Sequence, residues 1–170
     1  MKRKVISILA LTLIVLMSAV LVSCEDMLPI ADPEIVNAVV YETEMEMSTF
    51  NEYIEELIDG VKTPGVLEAL ITSKLNTKYD TDNADVDADS SSISASASGD
   101  KLGVSAKFTS LRKETAAYKG DFSVESTFNY KGATHNIKVK GYFVDENITF
   151  NSVNYNGTDY DVDAFNRAIN

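Results

Sequence analysis

The sequence predicts an α+β domain: an N-terminal helical hairpin packed on a five- to six-stranded antiparallel β-meander. Three observations predict it. Between Val36 and Leu57 the apolar residues recur at alternating spacings of four and three, the period of one helix face. From Ile93 almost to the end the period falls to two, the mark of half-buried strands. Short turn signals, Gly99-Asp100, Lys131-Gly132 and Asn156-Gly157, separate the apolar runs and leave no room for crossover helices. Neighbouring strands must therefore pair antiparallel.

The first helix is expected over about 33–59. Asp32 can accept free backbone amides, Pro33 suits the first helical position, and Glu34 meets the positive end of the helix dipole. Val36, Val40, Thr43, Met47, Phe50, Ile54 and Leu57 then share one stripe, and Gly60 is placed to stop it. Tyr41 to Met47 (YETEMEM) also alternates with period two, so a strand or a break is open there. Thr63-Pro64 repeats the start signal, and Leu67, Leu70, Ile71, Lys74 and Leu75 carry a second helix over about 64–76. A short connection with a glycine makes the two an antiparallel hairpin. The same repeat suits a coiled coil, but three heptads without an e/g pairing code favour packing on the domain.

An acidic Ser/Asp-rich loop is expected over about 79–92, followed by strands over about 93–162. Ile93, Ala95 and Ala97 share a face, as do Leu102, Val104, Ala106 and Phe108. Phe122, Val124, Phe128 and Tyr130 alternate next, then Ile137, Val139 and Phe143, then Ile148 and Phe150. Lys138, Lys140, Ser94 and Ser96 belong to a solvated face. Asp163 is placed to cap a short helix through Ile169. An alternative curls the meander into a half-barrel around the first helix.

The N-terminus carries a different signal. Lys2, Arg3 and Lys4 precede Val5 to Val22, an apolar run broken only by Ser7, Thr12 and Ser18; this is the charge and grease of an export signal. The run closes on Leu21-Val22-Ser23-Cys24, which resembles the lipobox of bacterial lipoproteins. The resemblance implies cleavage between Ser23 and Cys24, acylation of the Cys24 thiol, and a bacterial cell-envelope location, moored to a membrane and facing the periplasm or the exterior. The physics agrees: Ser23 is small enough for a peptidase pocket, and two or three fatty chains, at about 0.8 kcal/mol per buried methylene, hold a protein down for good. An uncleaved transmembrane anchor is one alternative, since 18 apolar residues just cross a bilayer. A plain secretory signal is another. Residues 1–23 are thus read as signal, 24–31 as a lipidated cysteine and short flexible tether of about 15 Å, and 32–170 as one domain.

Charge narrows the partners. Cleavage takes three of the 15 basic residues and none of the 26 acidic ones, leaving 12 against 26 and a net −14. Phosphate backbones and anionic headgroups both repel such a domain, so nucleic acid is excluded and the acyl chains act without electrostatic help. Cys24 is the only cysteine, so its acylation leaves no disulfide and no catalytic thiol.

Few residues carry chemistry. Asp80, Asp82, Asp85, Asp87 and Asp89 place five carboxylates in ten residues, a donor type that suits calcium. Read as an EF-hand from Asp85, the run matches only positions 1, 3 and 5; Ser90 stands where the glycine belongs and Ser96 where the glutamate belongs. A solvated loop that blunts a sheet edge is the simpler reading. Asp159, Asp161 and Asp163 would share a strand face, where crowding raises carboxylate pKa values, but no second element completes a site. His135, the only histidine, falls in a turn region and should be exposed. One histidine builds no His-rich zinc site, and no nucleophile elbow or phosphate loop is present. Tyr118, Tyr130, Tyr142, Tyr155 and Tyr160 would make a stacking platform for a glycan or a patch for a protein or peptide, if they share an exposed face. Asn147-Ile148-Thr149 and Asn156-Gly157-Thr158 match the glycosylation sequon, which has no meaning beside a bacterial lipobox.

Three functional classes follow. A non-enzymatic envelope lipoprotein that presents its domain to a protein, peptide or glycan should show an exposed Tyr-rich or apolar patch, no deep polar pocket, and a filled space between the sheet and the first helix. A carrier of lipid or another apolar ligand should enclose a cavity bounded by Phe122, Phe128, Phe143 and Phe150. A carboxylate-based or calcium-dependent enzyme should bring distant acids into a cleft. The first is preferred, with no cofactor and no catalytic residue.

Overall fold

The computed structural model describes residues 27–169; the leader, the lipobox and Cys24 lie outside them. In chain order the elements are α1 (Pro33–Ile58), α2 (Pro64–Tyr79), β1 (Asp85–Ala88), β2 (Ile93–Ser98), β3 (Gly103–Glu114), β4 (Ala117–Tyr130), β5 (Ala133–Val144), β6 (Asn147–Tyr155), β7 (Thr158–Tyr160) and α3 (Asp163–Ile169). Seven strands form one sheet in sequential order, each antiparallel to the next. The predicted α+β meander is therefore present. The sheet has two free edges, β1 and β7, and does not close into a barrel. Among the described residues the three helices cover one face: α2 lies over β1 and β2, α1 over β3 and β4, and α3 against β6 and α1.

α1 starts where the sequence places it. The Asp32 carboxylate accepts from the amides of Glu34 at 2.9 Å and Ile35 at 3.0 Å, and Pro33 occupies the first turn. Helix runs unbroken through Tyr41–Met47, because that stretch has a sheet beneath it and a continuous stripe to bury. Val36, Thr43, Met47, Phe50, Ile54 and Leu57 are buried, and Val40 half so. At the far end Gly60 takes φ +65°, a left-handed turn that favours glycine. Asp59 sits unfavourably at the negative end of the dipole. Lys113 Nζ at 2.9 Å and the Tyr118 hydroxyl at 2.6 Å both donate to it, tying α1 to the β3–β4 hairpin.

α2 runs three residues past its expected end, to Tyr79, and Asp80 closes it at φ +48°. Leu67, Ile71, Leu75 and Tyr79 are its buried stripe, whereas Leu70 faces water. Lys74 Nζ donates to the Thr49 carbonyl and Lys78 Nζ to Glu46; one helix climbs as the other descends, the expected antiparallel hairpin.

Three further expectations change. The acidic segment is not all loop: Asp85–Ala88 is β1, the seventh strand, with Val86 and Ala88 turned inward against Asp85 and Asp87. The tether is not a free coil, since Ala31 is buried and the Pro29 carbonyl accepts from the Asp161 amide at 3.1 Å. Asp161, not Asp163, supplies the carboxylate at the start of α3, accepting from the Asp163 amide at 2.9 Å.

The layer between sheet and helices is filled with rings. Phe50 meets Phe108 at 4.9 Å, Phe122 meets Phe150 at 6.2 Å, and Phe150 meets Phe165 at 6.1 Å between centroids. Two strand glycines admit them. A Cβ on Gly141 would lie 2.0 Å from the Thr149 carbonyl oxygen and 2.9 Å from the Phe122 ring; one on Gly120 would lie 2.9 Å from Phe143. Each ring therefore sits over a cross-strand glycine that has no side chain to exclude it.

Candidate functional site

The densest polar cluster lies buried under α1. Glu42 and Glu46 are one helical turn apart and face the sheet. Glu46 is fully buried, and its Oε1 accepts from Lys78 Nζ at 2.6 Å and the Tyr79 hydroxyl at 2.8 Å. Its Oε2 has no donor among the described residues. Glu42 Oε1 accepts from the Ser126 hydroxyl at 2.5 Å. Burial first, then the negative charge of Glu46, pushes the Glu42 carboxyl up to about 7 against the pull of Ser126 and Lys78. Burial and Glu46 likewise hold the Tyr79 phenol protonated, so it stays a donor. Two carboxyls thus lie beside one lysine, and burial favours the protonated form of Glu42.

The sequence carried a signal for this pair. In a helix, Glu42 and Glu46 fall beside Thr43 and Met47, on the edge of the apolar stripe; reading YETEMEM as a choice between helix and strand obscured it. Chemically the cluster joins α1 to α2 and β4 through direct hydrogen bonds. The serine hydroxyl in it is that of Ser126, donating to Glu42 from β4 at 2.5 Å and lying 3.3 Å from the Gly103 carbonyl.

A second cluster lies at the N-terminal end of α1. His135 is in β5, not in a turn, and is half-buried on the helix-covered face opposite Phe128. Its Nε2 lies 3.1 Å from the Tyr130 carbonyl, which can only accept, so Nε2 carries the proton. Nδ1 then accepts from the Tyr155 hydroxyl at 2.6 Å. Burial, with Asp32, Tyr160 and Glu34 nearby, raises the Tyr155 pKa and keeps its proton. Both ring nitrogens are engaged, one by a carbonyl and one by a phenol, which orients the imidazole but supplies no reactive partner. These rings wall a cleft of about 380 Å³ with Asp32, Glu34 and Lys131 at its rim.

The five tyrosines do not form a platform. Tyr118, Tyr130, Tyr155 and Tyr160 lie on the helix-covered side and are partly buried; Tyr130 packs on Tyr41 at 5.4 Å. Only Tyr142 stands on the outer face, 43% exposed. Strand parity explains the split, since Tyr118 and Tyr130 share the register of Phe122 and Phe128. The outer face instead holds a shallow depression of about 310 Å³ with Glu125, Thr127, Asn136, Lys138 and Asn154 on its walls.

The acidic runs are dispersed. Asp80 closes α2, Asp85 and Asp87 line β1, and Asp89 accepts from the Ser91 amide at 2.7 Å, which lowers its pKa. Asp82 lies in the connection between α2 and β1. Asp159 is in β7, bonded to Asn154 at 2.7 Å, while Asp161 and Asp163 turn the chain into α3. Among the described residues no three His, Cys, Asp or Glu side chains are grouped to hold a metal ion. Nor, among them, is any helix long and apolar enough to cross a membrane. Comparison with protein-family models, curated proteins and solved structures finds no match to this chain.

Proposed function

We propose that this chain is a lipid-anchored protein of the bacterial cell envelope whose acidic α+β domain is a non-enzymatic binding or structural module. The observation that carries the reading is Leu21-Val22-Ser23-Cys24 at the end of an apolar run with a basic start. Three features support the non-enzymatic half of it. Of the phenylalanines expected to bound a carrier's cavity, Phe122 and Phe150 pack against each other, Phe122 and Phe143 lie over the sheet's glycines, and Phe128 packs on His135 at 5.6 Å. The histidine is committed at both nitrogens, and the buried carboxyls accept from Lys78, Tyr79 and Ser126. The outer face of the sheet is the surface offered to a peptide or glycan, whose polar groups would meet Thr127, Asn136, Asn154 and Lys138. A net −14 on the mature chain keeps nucleic acid away.

Cys24→Ala tests the anchor. The wild-type chain should be recovered in the membrane fraction with an N-terminal peptide heavier by its acyl groups, and the variant should leave that fraction. A variant that stays tightly bound would overturn the reading in favour of an uncleaved apolar anchor.

A further inference from the structure

We propose that Met27, Leu28 and Ile30 form an apolar foot that dips into the bilayer surface and holds the domain in a fixed orientation on it. The inference rests on the acylation of Cys24 proposed above. These side chains are 89%, 50% and 81% exposed, an unusual concentration of bare apolar surface in four residues of a strongly acidic domain. They are not on a loose string. Between and after them, Pro29 is bonded through its carbonyl to the Asp161 amide at 3.1 Å, Ala31 is buried, and Asp32 caps α1. The foot is therefore part of the folded domain.

Chain length names the occupant. Only Glu25 and Asp26 separate Met27 from Cys24, and three extended peptide steps span at most about 11 Å. A cysteine whose acyl chains enter the hydrocarbon must hold Met27 within that distance of the headgroups, a layer itself about 5–8 Å deep. A bilayer is thus the apolar medium that these side chains are bound to meet. Asp161, Asp163 and Arg167 stand behind the foot, so its net surroundings are acidic and contact must come from apolar burial rather than from attraction to anionic lipid. The orientation that follows sets the end of the domain carrying the tether and the His135–Tyr155 cleft toward the membrane. The two share the segment that runs from Ile30 to Asp32.

The chain has no tryptophan, so single substitutions report position cleanly. The full chain, expressed with its leader and carrying Leu28→Trp, Ile30→Trp or, on the outer face, Tyr142→Trp, is recovered from membranes and reconstituted into phosphatidylcholine vesicles with brominated acyl chains. Mass of the N-terminal peptide records acylation in the same samples. The expected result is a blue-shifted emission at positions 28 and 30, quenched roughly twofold by the brominated lipid, with position 142 unquenched, as for side chains seated in the interface. Acylated protein quenched no more at positions 28 and 30 than at position 142 would overturn the foot while leaving the anchor intact. A blue shift without bromine quenching would overturn it too, and would assign the cover to a second copy or another protein. An unacylated chain would overturn the anchor and the foot together.

Discussion

At the scale of single residues, Glu42 is the position with the sharpest consequence. Its carboxyl is held up to about 7 in the folded chain against an ordinary 4.5, chiefly by burial. Between those values the unfolded chain ionises while the folded chain keeps its proton. Unfolding then releases a proton, so stability falls as pH rises through this window and levels off above it. Glu42→Gln mimics the protonated form in shape and should flatten that dependence. It should stabilise the fold at pH 8 by on the order of 2 kcal/mol and leave it unchanged below pH 4.5, read from urea midpoints across the range. A difference between variant and wild type that stays constant with pH would refute the assignment. None of this was legible in composition: a glutamate beside an apolar stripe is ordinarily solvated, and only the placement of Ser126, Lys78 and Tyr79 around it says otherwise. His135 makes the same point. Its strand register puts it inside, whereas a glycine three residues earlier suggested a turn.

At the scale of elements, β1 is the strand that sequence reading passed over. Five aspartates drew attention to metal chemistry, but Asp85, Val86, Asp87 and Ala88 alternate with period two like the strands that follow. The structure adds what the pattern lacked. Edge strands carry unpaired amides, and α2 covers them here: Asn76 Oδ1 accepts from the Ala84 amide at 2.9 Å, and Glu68 Oε1 from the Ala88 amide at 3.0 Å. Glu68→Ala should therefore cost about 1 kcal/mol of stability, with hydrogen exchange accelerated at Ala88 before any other strand amide. Unchanged protection at Ala88 would show that the glutamate is incidental. α1 was legible nearly to the residue, because capping and periodicity are local and both point the same way. The β3–β4 turn was not: Thr115 and Ala116 take φ +51° and +70° without the Asn-Gly signature that announced the turn at Asn156-Gly157.

At the scale of the whole molecule, charge dominates. The chain's net charge of −11 destabilises the compact state by self-repulsion. The ion pairs that offset it, such as Lys138–Glu125 at 3.0 Å, are largely exposed and each is worth little. Raising salt from about 0.01 M to 1 M shortens the Debye length from roughly 30 Å to 3 Å and should raise the melting temperature by about 3 °C. A fall would mean that the surface ion pairs outweigh the repulsion. The order of helices before strands and the antiparallel meander were written in the sequence, because each depends on residues close together along the chain. Which glutamates are buried, which tyrosines are covered, and that the tether is seated against α3's approach were decided only by tertiary structure. Those facts depend on pairs such as Glu42 with Ser126 and Pro29 with Asp161, far apart in sequence, whose meeting no local pattern encodes.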